Sequence, residues 1–119
     1  MEKVTVAKSA GFCFGVSRSV DMAEELLRDG NAYCLGQLIH NDDVVNALAA
    51  KGLGVINTPD ELPDGARVMI RSHGVAKSVY DALEAKNAVI IDATCPKVKK
   101  IHEIVFKASA DGRFVVIIG

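Results

Sequence analysis

Short apolar runs alternate with amphipathic stretches along the 119 residues of this chain. The runs are rich in β-branched side chains, which is typical of buried strands. The predicted strands are 3–7, 32–35 with 38–39, 54–56, 67–71, 88–92 and 114–118. Between them, apolar residues recur at helical spacing, which predicts helices over about 16–29, 41–51, 76–86 and 96–110. This alternation favours an α/β fold with a mainly parallel sheet and helices on both faces.

Polar residues at the predicted helix ends support these boundaries. Asn41 is a suitable N-cap, and two aspartates follow it in the first turn. Gly30 and Gly52 are suitable stop residues for the first two helices. Pro96 stands at the first position of the last helix, which proline favours. The chain therefore marks most of its helix ends with side chains of known preference.

Composition describes an ordinary globular domain and excludes several classes of protein. Half of the residues are hydrophobic, 24% are charged and the formal net charge is −1, so no broad nucleic-acid surface is expected. No apolar run approaches the roughly 20 residues that cross a bilayer, and the first residues lack a secretory apolar core. Three cysteines at wide spacing do not form a disulfide framework. These features predict a cytoplasmic protein without nucleic-acid or membrane partners.

The apolar run 114–118 has no covering element after it. A strand that is buried on both faces needs such cover, so we expect this chain to be the amino-terminal piece of a longer protein. We expect residues 1–95 to form a first α/β domain. Residues 96–119 would then be the helix and strand that begin a second, truncated one. The alternative is that 114–118 is the last strand of a self-sufficient sheet.

Two cysteines follow predicted strands and open predicted helices. Cys13 lies between Gly11 and Gly15, and Cys95 lies in Asp-Ala-Thr-Cys-Pro. Strand carboxyl ends and helix amino ends are where open α/β sheets bind ligands. Cys-Pro is also common among ferredoxin-type ligands. We interpret both cysteines as ligands of a metal or cluster, the alternative being buried structural thiols.

Two histidines occupy similar junctions. His40 is followed by Asn41, and His73 is preceded by Ser72 and followed by Gly74. Imidazole, hydroxyl and free backbone N–H groups together suit a phosphate group. Cys34, in contrast, lies inside an apolar stretch and is predicted to be a buried structural residue.

Other motifs are incomplete. His102-Glu103 begins a zinc-protease pattern, but residue 106 is phenylalanine where a second histidine is required. The sequence contains no Cys-x-x-Cys, no P-loop and no dinucleotide-binding glycine fingerprint. The lysines at 97, 99 and 100 are interpreted as a solvated helix face near a site.

Four segments in order resemble one known family. They are Gly11-Phe-Cys-Phe-Gly-Val16, Leu35-Gly-Gln-Leu-Ile-His-Asn41, Ile70-Arg-Ser-His-Gly-Val75 and Ile91-Asp-Ala-Thr-Cys-Pro96. Together they are similar to the LytB family, the 4-hydroxy-3-methylbut-2-enyl diphosphate reductases of the methylerythritol phosphate route to isoprenoids. The resemblance covers essentially the whole chain.

The resemblance implies an oxidoreductase of three similar α/β domains in pseudo-threefold arrangement around a [4Fe–4S] cluster. Cys13 and Cys95 match two of its three cysteine ligands, the third lying outside this chain, and Cys34 does not match it. His40 and His73 match histidines of the pocket that binds the substrate's diphosphate. The implied partners are this small-molecule diphosphate and an electron donor such as ferredoxin or flavodoxin.

The implied reaction removes an allylic hydroxyl and gives isopentenyl and dimethylallyl diphosphate. The acid that delivers a proton in this family lies beyond Gly119, so no catalytic residue is expected within this chain and the piece alone should be inactive. Two other classes remain open. One is a non-catalytic anion-binding α/β module with structural cysteines, and the other is a metal-storage or redox-sensing piece that uses Cys13 and Cys95 alone.

Overall fold

The computed structural model describes residues 2–8 and 11–118. Four strands alternate with four helices. In chain order they are α1 (Phe14–Leu27), β1 (Ala32–Leu35), α2 (Asp42–Ala50), β2 (Leu53–Ile56), β3 (Arg67–Ile70), α3 (Lys77–Ala85), β4 (Val89–Asp92) and α4 (Pro96–Ala110). A short 3₁₀ turn, Pro59–Glu61, lies between β2 and β3. The predicted helices and four of the predicted strands are confirmed, with boundaries shifted by a residue or two. Residues 38–39, which were predicted as part of the strand region of 32–35, are wrong: they form a bend after β1.

The four strands form one parallel sheet in the order β2-β1-β3-β4. β1 pairs with β2 on one side and with β3 on the other, and β3 pairs with β4. After β1 the chain crosses to β2 at one edge of the sheet, and after β3 it crosses to β4 at the opposite edge. The crevice between the ends of β1 and β3 is the topological switch point, where open α/β sheets bind ligands.

Helices cover both faces of the sheet, as predicted. One core packs α1 and α2 against the sheet, with Ala23, Leu48, Cys34 and Met69 among its buried residues. The second core lies on the opposite face and includes Leu83 of α3. Successive strand residues alternate between the two cores because side chains of a strand point to opposite faces. This double cover explains why the strands are apolar throughout.

The predictions of strands at 3–7 and 114–118 are wrong. Both segments lie within the described ranges, and neither forms a strand. Val4 is 85% exposed and Phe114 is 94% exposed. Their apolar, β-branched residues satisfy the pattern of a strand, but a strand also requires a neighbouring strand to pair with. None of the four described strands pairs with either segment.

The last helix differs from the other three in its packing. None of the residues of α4, all of which the structure describes, is buried, and Ile101, Ile104 and Phe106 are exposed. The predicted domain boundary at residues 95–96 stays a prediction, and the exposure of α4 agrees with it. Within the described part of the chain, no helix has the length and apolar character that crossing a membrane requires.

Candidate functional site at the sheet switch point

Two loops follow the strands on either side of the switch point. The His40 loop (residues 36–41) follows β1, and the His73 turn (residues 71–74) follows β3. In the His73 turn, the N–H of Gly74 donates to the carbonyl of Arg71 at 3.0 Å, and Gly74 has a φ of +73°. Both histidines are exposed at the carboxyl edge of the sheet.

The Cys95 loop (residues 92–95) follows β4 and lies against the His73 turn. The N–H of Cys95 donates to the carbonyl of Ser72 at 2.7 Å. Cys95 is the N-cap of α4, but its side chain makes no capping hydrogen bond. Cys95 is buried, with 7% of the residue exposed, and its thiol is free. The sulfur thus lies at a helix amino end, where the helix dipole favours negative charge.

Cys13 reaches the same edge through α1. It is the N-cap of α1, its thiol is exposed and free, and it makes no side-chain capping bond. Two residues later, a Cβ placed on Gly15 would come within 2.9 Å of both Cβ and Sγ of Cys95. Nη1 of Arg18 donates to the carbonyl of Thr94 at 3.3 Å. The amino end of α1 therefore packs directly on the Cys95 loop.

Asp92 holds the Cys95 loop in shape. Its Oδ1 accepts hydrogen bonds from the N–H of Thr94 at 2.9 Å and from the Thr94 hydroxyl. Its Oδ2 accepts from the hydroxyl of Tyr80 at 3.0 Å and pairs with Nζ of Lys99 at 3.4 Å. Burial acts to raise the pKa of Asp92, but the bonds from Thr94 and Tyr80 and the charge of Lys99 outweigh it, so the pKa is lowered.

The two histidine segments lie close enough for their charges to interact. Partial burial, followed by the positive charges of Arg71 and His40, lowers the pKa of His73 below its usual value. His73 therefore carries its proton only under more acidic conditions than an isolated imidazole. A bound anion would favour the protonated form, which couples proton uptake to anion binding at this edge.

The third cysteine lies inside the sheet, one residue before the carboxyl end of β1. Cys34 is fully buried within β1, as its apolar context predicts. Burial, partly offset by the charge of Arg71, raises the pKa of the Cys34 thiol to about 12. Cys34 is therefore a neutral core residue in the described structure.

The structure thus places Cys13, Cys95, His40 and His73 on loops or helix ends that meet at one edge of the sheet. Whether these residues bind a cluster and a diphosphate stays a prediction. In the described part of the chain, no group of three or more His, Cys, Asp or Glu side chains could hold a metal ion.

Sequence reasoning missed the residues that position these side chains. Arg18 and Asp92 fix the Cys95 loop, and Arg71 packs between the two histidine segments. Asp92 stands two residues before Thr94, a spacing that predicts an Asx-type turn. Arg18 and Arg71 gave no such signal, because their partners are backbone carbonyls far away in the sequence.

A family model described as LytB protein matches residues 4–119 of this chain. The chain is 46% identical to the 4-hydroxy-3-methylbut-2-enyl diphosphate reductase of Aquifex aeolicus, with all of this chain and 42% of the relative covered. It is 42% identical to the enzyme of the same name from Thermoanaerobacter pseudethanolicus, with 98% of the chain and 42% of the relative covered. The chain therefore spans about two fifths of the length of these curated relatives.

Solved structures agree with these relatives. A structure of (E)-4-hydroxy-3-methyl-but-2-enyl diphosphate reductase, the terminal enzyme of the non-mevalonate pathway, is 44% identical with a TM-score of 0.82. That match covers 98% of this chain and 42% of the other. The reductase of Plasmodium falciparum also gives a TM-score of 0.82 at 32% identity, with 87% of this chain and 33% of that one covered.

Proposed function

The chain belongs to the LytB family, and we propose that it supplies the amino-terminal part of a 4-hydroxy-3-methylbut-2-enyl diphosphate reductase. The observation that carries the proposal is the contact between the amino end of α1 and Cys95. This contact brings the ends of two helices, each headed by a free cysteine, to the sheet edge that also bears two histidines.

We propose Cys13 and Cys95 as two of the three protein ligands of a [4Fe–4S] cluster, with the third cysteine outside this chain. Thiolates are the ligands that iron–sulfur clusters require, and helix amino ends stabilise their negative charge. Because Gly15 has no side chain, α1 can approach the Cys95 sulfur closely. When bound, such a cluster supplies electrons, and an iron without a protein ligand acts as a Lewis acid.

We propose His40 and His73 as ligands of the substrate's diphosphate group. They stand on neighbouring loops at the switch point, and the charge of His40 influences His73. Protonated imidazoles would donate charge-assisted hydrogen bonds to diphosphate oxygens. The task of these residues is to hold the anion so that the other end of the substrate faces the two cysteines.

The proposed reaction adds two electrons and two protons to the allylic alcohol and releases its hydroxyl as water. The products are isopentenyl and dimethylallyl diphosphate. The electrons would come from a small donor protein such as ferredoxin or flavodoxin, in the reducing cytoplasm where thiols stay free. The proton-delivering acid would come from the part of the family's length that this chain does not span.

The proposal is tested with a protein that carries this chain together with the rest of the family's length. After anaerobic reconstitution with iron and sulfide, it is mixed with 4-hydroxy-3-methylbut-2-enyl diphosphate and a chemical reductant. We expect both isopentenyl and dimethylallyl diphosphate by chromatography. A protein with its full iron content that forms neither product would contradict the proposed function.

A further inference from the structure

Arg71 lies at the junction between the two histidine segments. Its backbone begins the His73 turn, while its side chain packs on the His40 loop. A Cβ placed on Gly36 would lie 2.8 Å from Cζ of Arg71, and Gly36 has a φ of +76°. Only glycine therefore suits position 36, both for its backbone and for the guanidinium plane beside it. Nη1 of Arg71 also donates to the carbonyl of Gln37 at 3.4 Å.

The hydrogen-bonding capacity of this guanidinium is not used up by the described residues. Its Nε is buried and has no hydrogen-bond partner among the described residues. The salt bridges of the described residues are Lys51–Glu24 and Lys99–Asp92, so Arg71 is paired with no carboxylate there. A buried, unpartnered donor on a charged group is costly, and it is found where a ligand or strain compensates.

Arg71 also lines a cleft of about 470 Å³ beside one of the proposed diphosphate ligands. The other polar residues in its wall include His40, Asn57 and Gln37. The cleft thus combines a permanent positive charge, an imidazole and two amides, and none of the described residues that line it is acidic. This combination suits an anion with several oxygens.

A second arginine on the same strand shows the contrast. Arg67 begins β3, and its guanidinium donates to the carbonyls of Leu26 at 3.0 Å and Asn31 at 2.8 Å. Arg67 is therefore occupied by backbone acceptors at the amino end of the sheet. Arg71 lies just beyond the carboxyl end of β3, and within the described part of the chain its guanidinium makes one long bond to backbone, to the carbonyl of Gln37.

We propose that Arg71 is a further anion-binding residue of this site, whose guanidinium supplies the fixed positive charge of the cleft beside His40. This inference rests on the proposed function for the identity of the anion as a diphosphate. The imidazole of His73 loses its charge as the pH rises, whereas the guanidinium of arginine keeps it. Arg71 would therefore maintain diphosphate affinity at neutral and alkaline pH.

The test measures binding of inorganic pyrophosphate to the 119-residue chain by microscale thermophoresis at pH 8, at a chain concentration low enough that light scattering shows a monomer. The variants are Arg71→Gln, which removes the charge, and Arg71→Lys, which keeps the charge but not the planar group on Gly36. Arg67→Gln is the matched control on the same strand. Thermal unfolding of each variant reports whether the fold is retained.

We expect Arg71→Gln to weaken pyrophosphate binding about tenfold or more, the loss of one charge-assisted hydrogen bond. Arg71→Lys should recover most of the affinity, and Arg67→Gln should bind as the wild type does while lowering the melting temperature. Equal losses in Arg71→Gln and Arg71→Lys would show that Arg71 only packs against the loop, and would overturn the inference. So would unchanged affinity in Arg71→Gln, or a wild-type chain that does not bind pyrophosphate.

This outcome is separable from the proposed function, because pyrophosphate binding requires neither a cluster nor turnover. A reductase that is active, but whose chain binds pyrophosphate equally well with and without Arg71, would refute only the present inference. A chain that binds pyrophosphate through Arg71, within a longer protein that forms no product, would refute only the proposed function.

Discussion

At the scale of single residues, the contact between Gly15 and Cys95 is the most restrictive feature of the site. A methyl group at position 15 would lie 2.9 Å from the Cys95 sulfur, closer than side chains normally approach. Alanine is elsewhere the better helix residue by about 1 kcal/mol. The clash with Cys95 would destabilise the site, whereas the higher helix propensity of alanine would stabilise α1. A Gly15→Ala substitution therefore shows whether position 15 serves the site or only the helix.

We predict that Gly15→Ala lowers the iron content of the reconstituted long protein, because the added methyl group displaces the Cys95 sulfur. Ser17→Ala, at an exposed position of the same helix, serves as the control and should keep the wild-type iron content. Iron analysis and thermal unfolding are measured together. A Gly15→Ala protein with full iron content and a raised melting temperature would show that the contact does not constrain the site.

The two histidines give a second prediction at this scale. His40→Ala or His73→Ala should weaken binding of the diphosphate substrate about ten- to hundredfold, since each removes a charge-assisted bond of about 1.5–3 kcal/mol. The visible absorption of the cluster should stay unchanged in both variants. A changed cluster spectrum with unchanged substrate affinity would assign the histidines to iron instead of to the anion.

Protonation gives this prediction a pH dependence. Because the pKa of His73 is lowered, the ring is mainly neutral at neutral pH. It gains its proton only when the pH falls below the ordinary pKa of a histidine side chain. Substrate affinity should therefore increase on acidification in the wild type. The increase should be smaller in His73→Ala, as measured by titrations across the acidic range.

At the scale of elements, the Cys95 loop depends on the carboxylate that begins it. Asp92 joins β4, the loop, α3 and α4 through Thr94, Tyr80 and Lys99. Its lowered pKa means that ionised Asp92 stabilises the folded state. That contribution is complete above the unfolded-state pKa of about 3.9 and is lost as the pH falls through the lower, folded-state value.

We predict that Asp92→Asn destabilises the chain by about 1–3 kcal/mol at neutral pH, since the amide cannot replace both acceptor oxygens. The difference from the wild type should begin to shrink below about pH 4, where Asp92 is protonated in the unfolded chain, and be lost as the pH falls through the lower pKa of the folded state. Urea unfolding at several pH values measures this, with the exposed Asp81→Asn as the control. A difference that does not vary with pH would mean that the charge of Asp92 is not involved.

Helix boundaries were predictable from sequence where a residue at the boundary itself favours a helix start. Asn41 caps α2 by accepting a hydrogen bond from the N–H of Val44 at 3.2 Å, and Pro96 begins α4, both as expected. The strand pattern failed at 3–7 and 114–118, because pairing depends on a neighbour that a local pattern does not specify. The role of Arg71 was hidden for a similar reason, since its contact with Gly36 exists only after β1 and β3 have paired.

At the scale of the whole molecule, exposed apolar side chains are concentrated on α4 and on the segments 3–7 and 114–118, which form no strand. Phe106 is 76% exposed, Phe114 is 94% exposed and Ile118 is 92% exposed. Exposed apolar patches and unpaired strand-like segments are places where proteins associate. Of these, α4 and residues 114–118 belong to the second domain that the sequence predicts over 96–119.

We predict that the 119-residue chain on its own self-associates with increasing concentration, forms no product from the diphosphate substrate and retains no stable four-iron cluster. Light scattering measures the association. Phe106→Ser with Phe114→Ser should reduce it without lowering the melting temperature, because neither side chain is part of either core. A chain that stays monomeric and holds a stable active cluster would contradict this prediction.

The central claim is that Cys13 and Cys95, but not Cys34, bind the cluster. It is tested most directly by iron and sulfide analysis of the long protein after anaerobic reconstitution, comparing Cys13→Ala, Cys95→Ala and Cys34→Ala. We predict that the first two variants lose the cluster. Cys34→Ala should keep the wild-type iron content, since the Cys34 thiol is buried in the core. Equal losses in all three variants, or full iron content in Cys13→Ala and Cys95→Ala, would contradict the account.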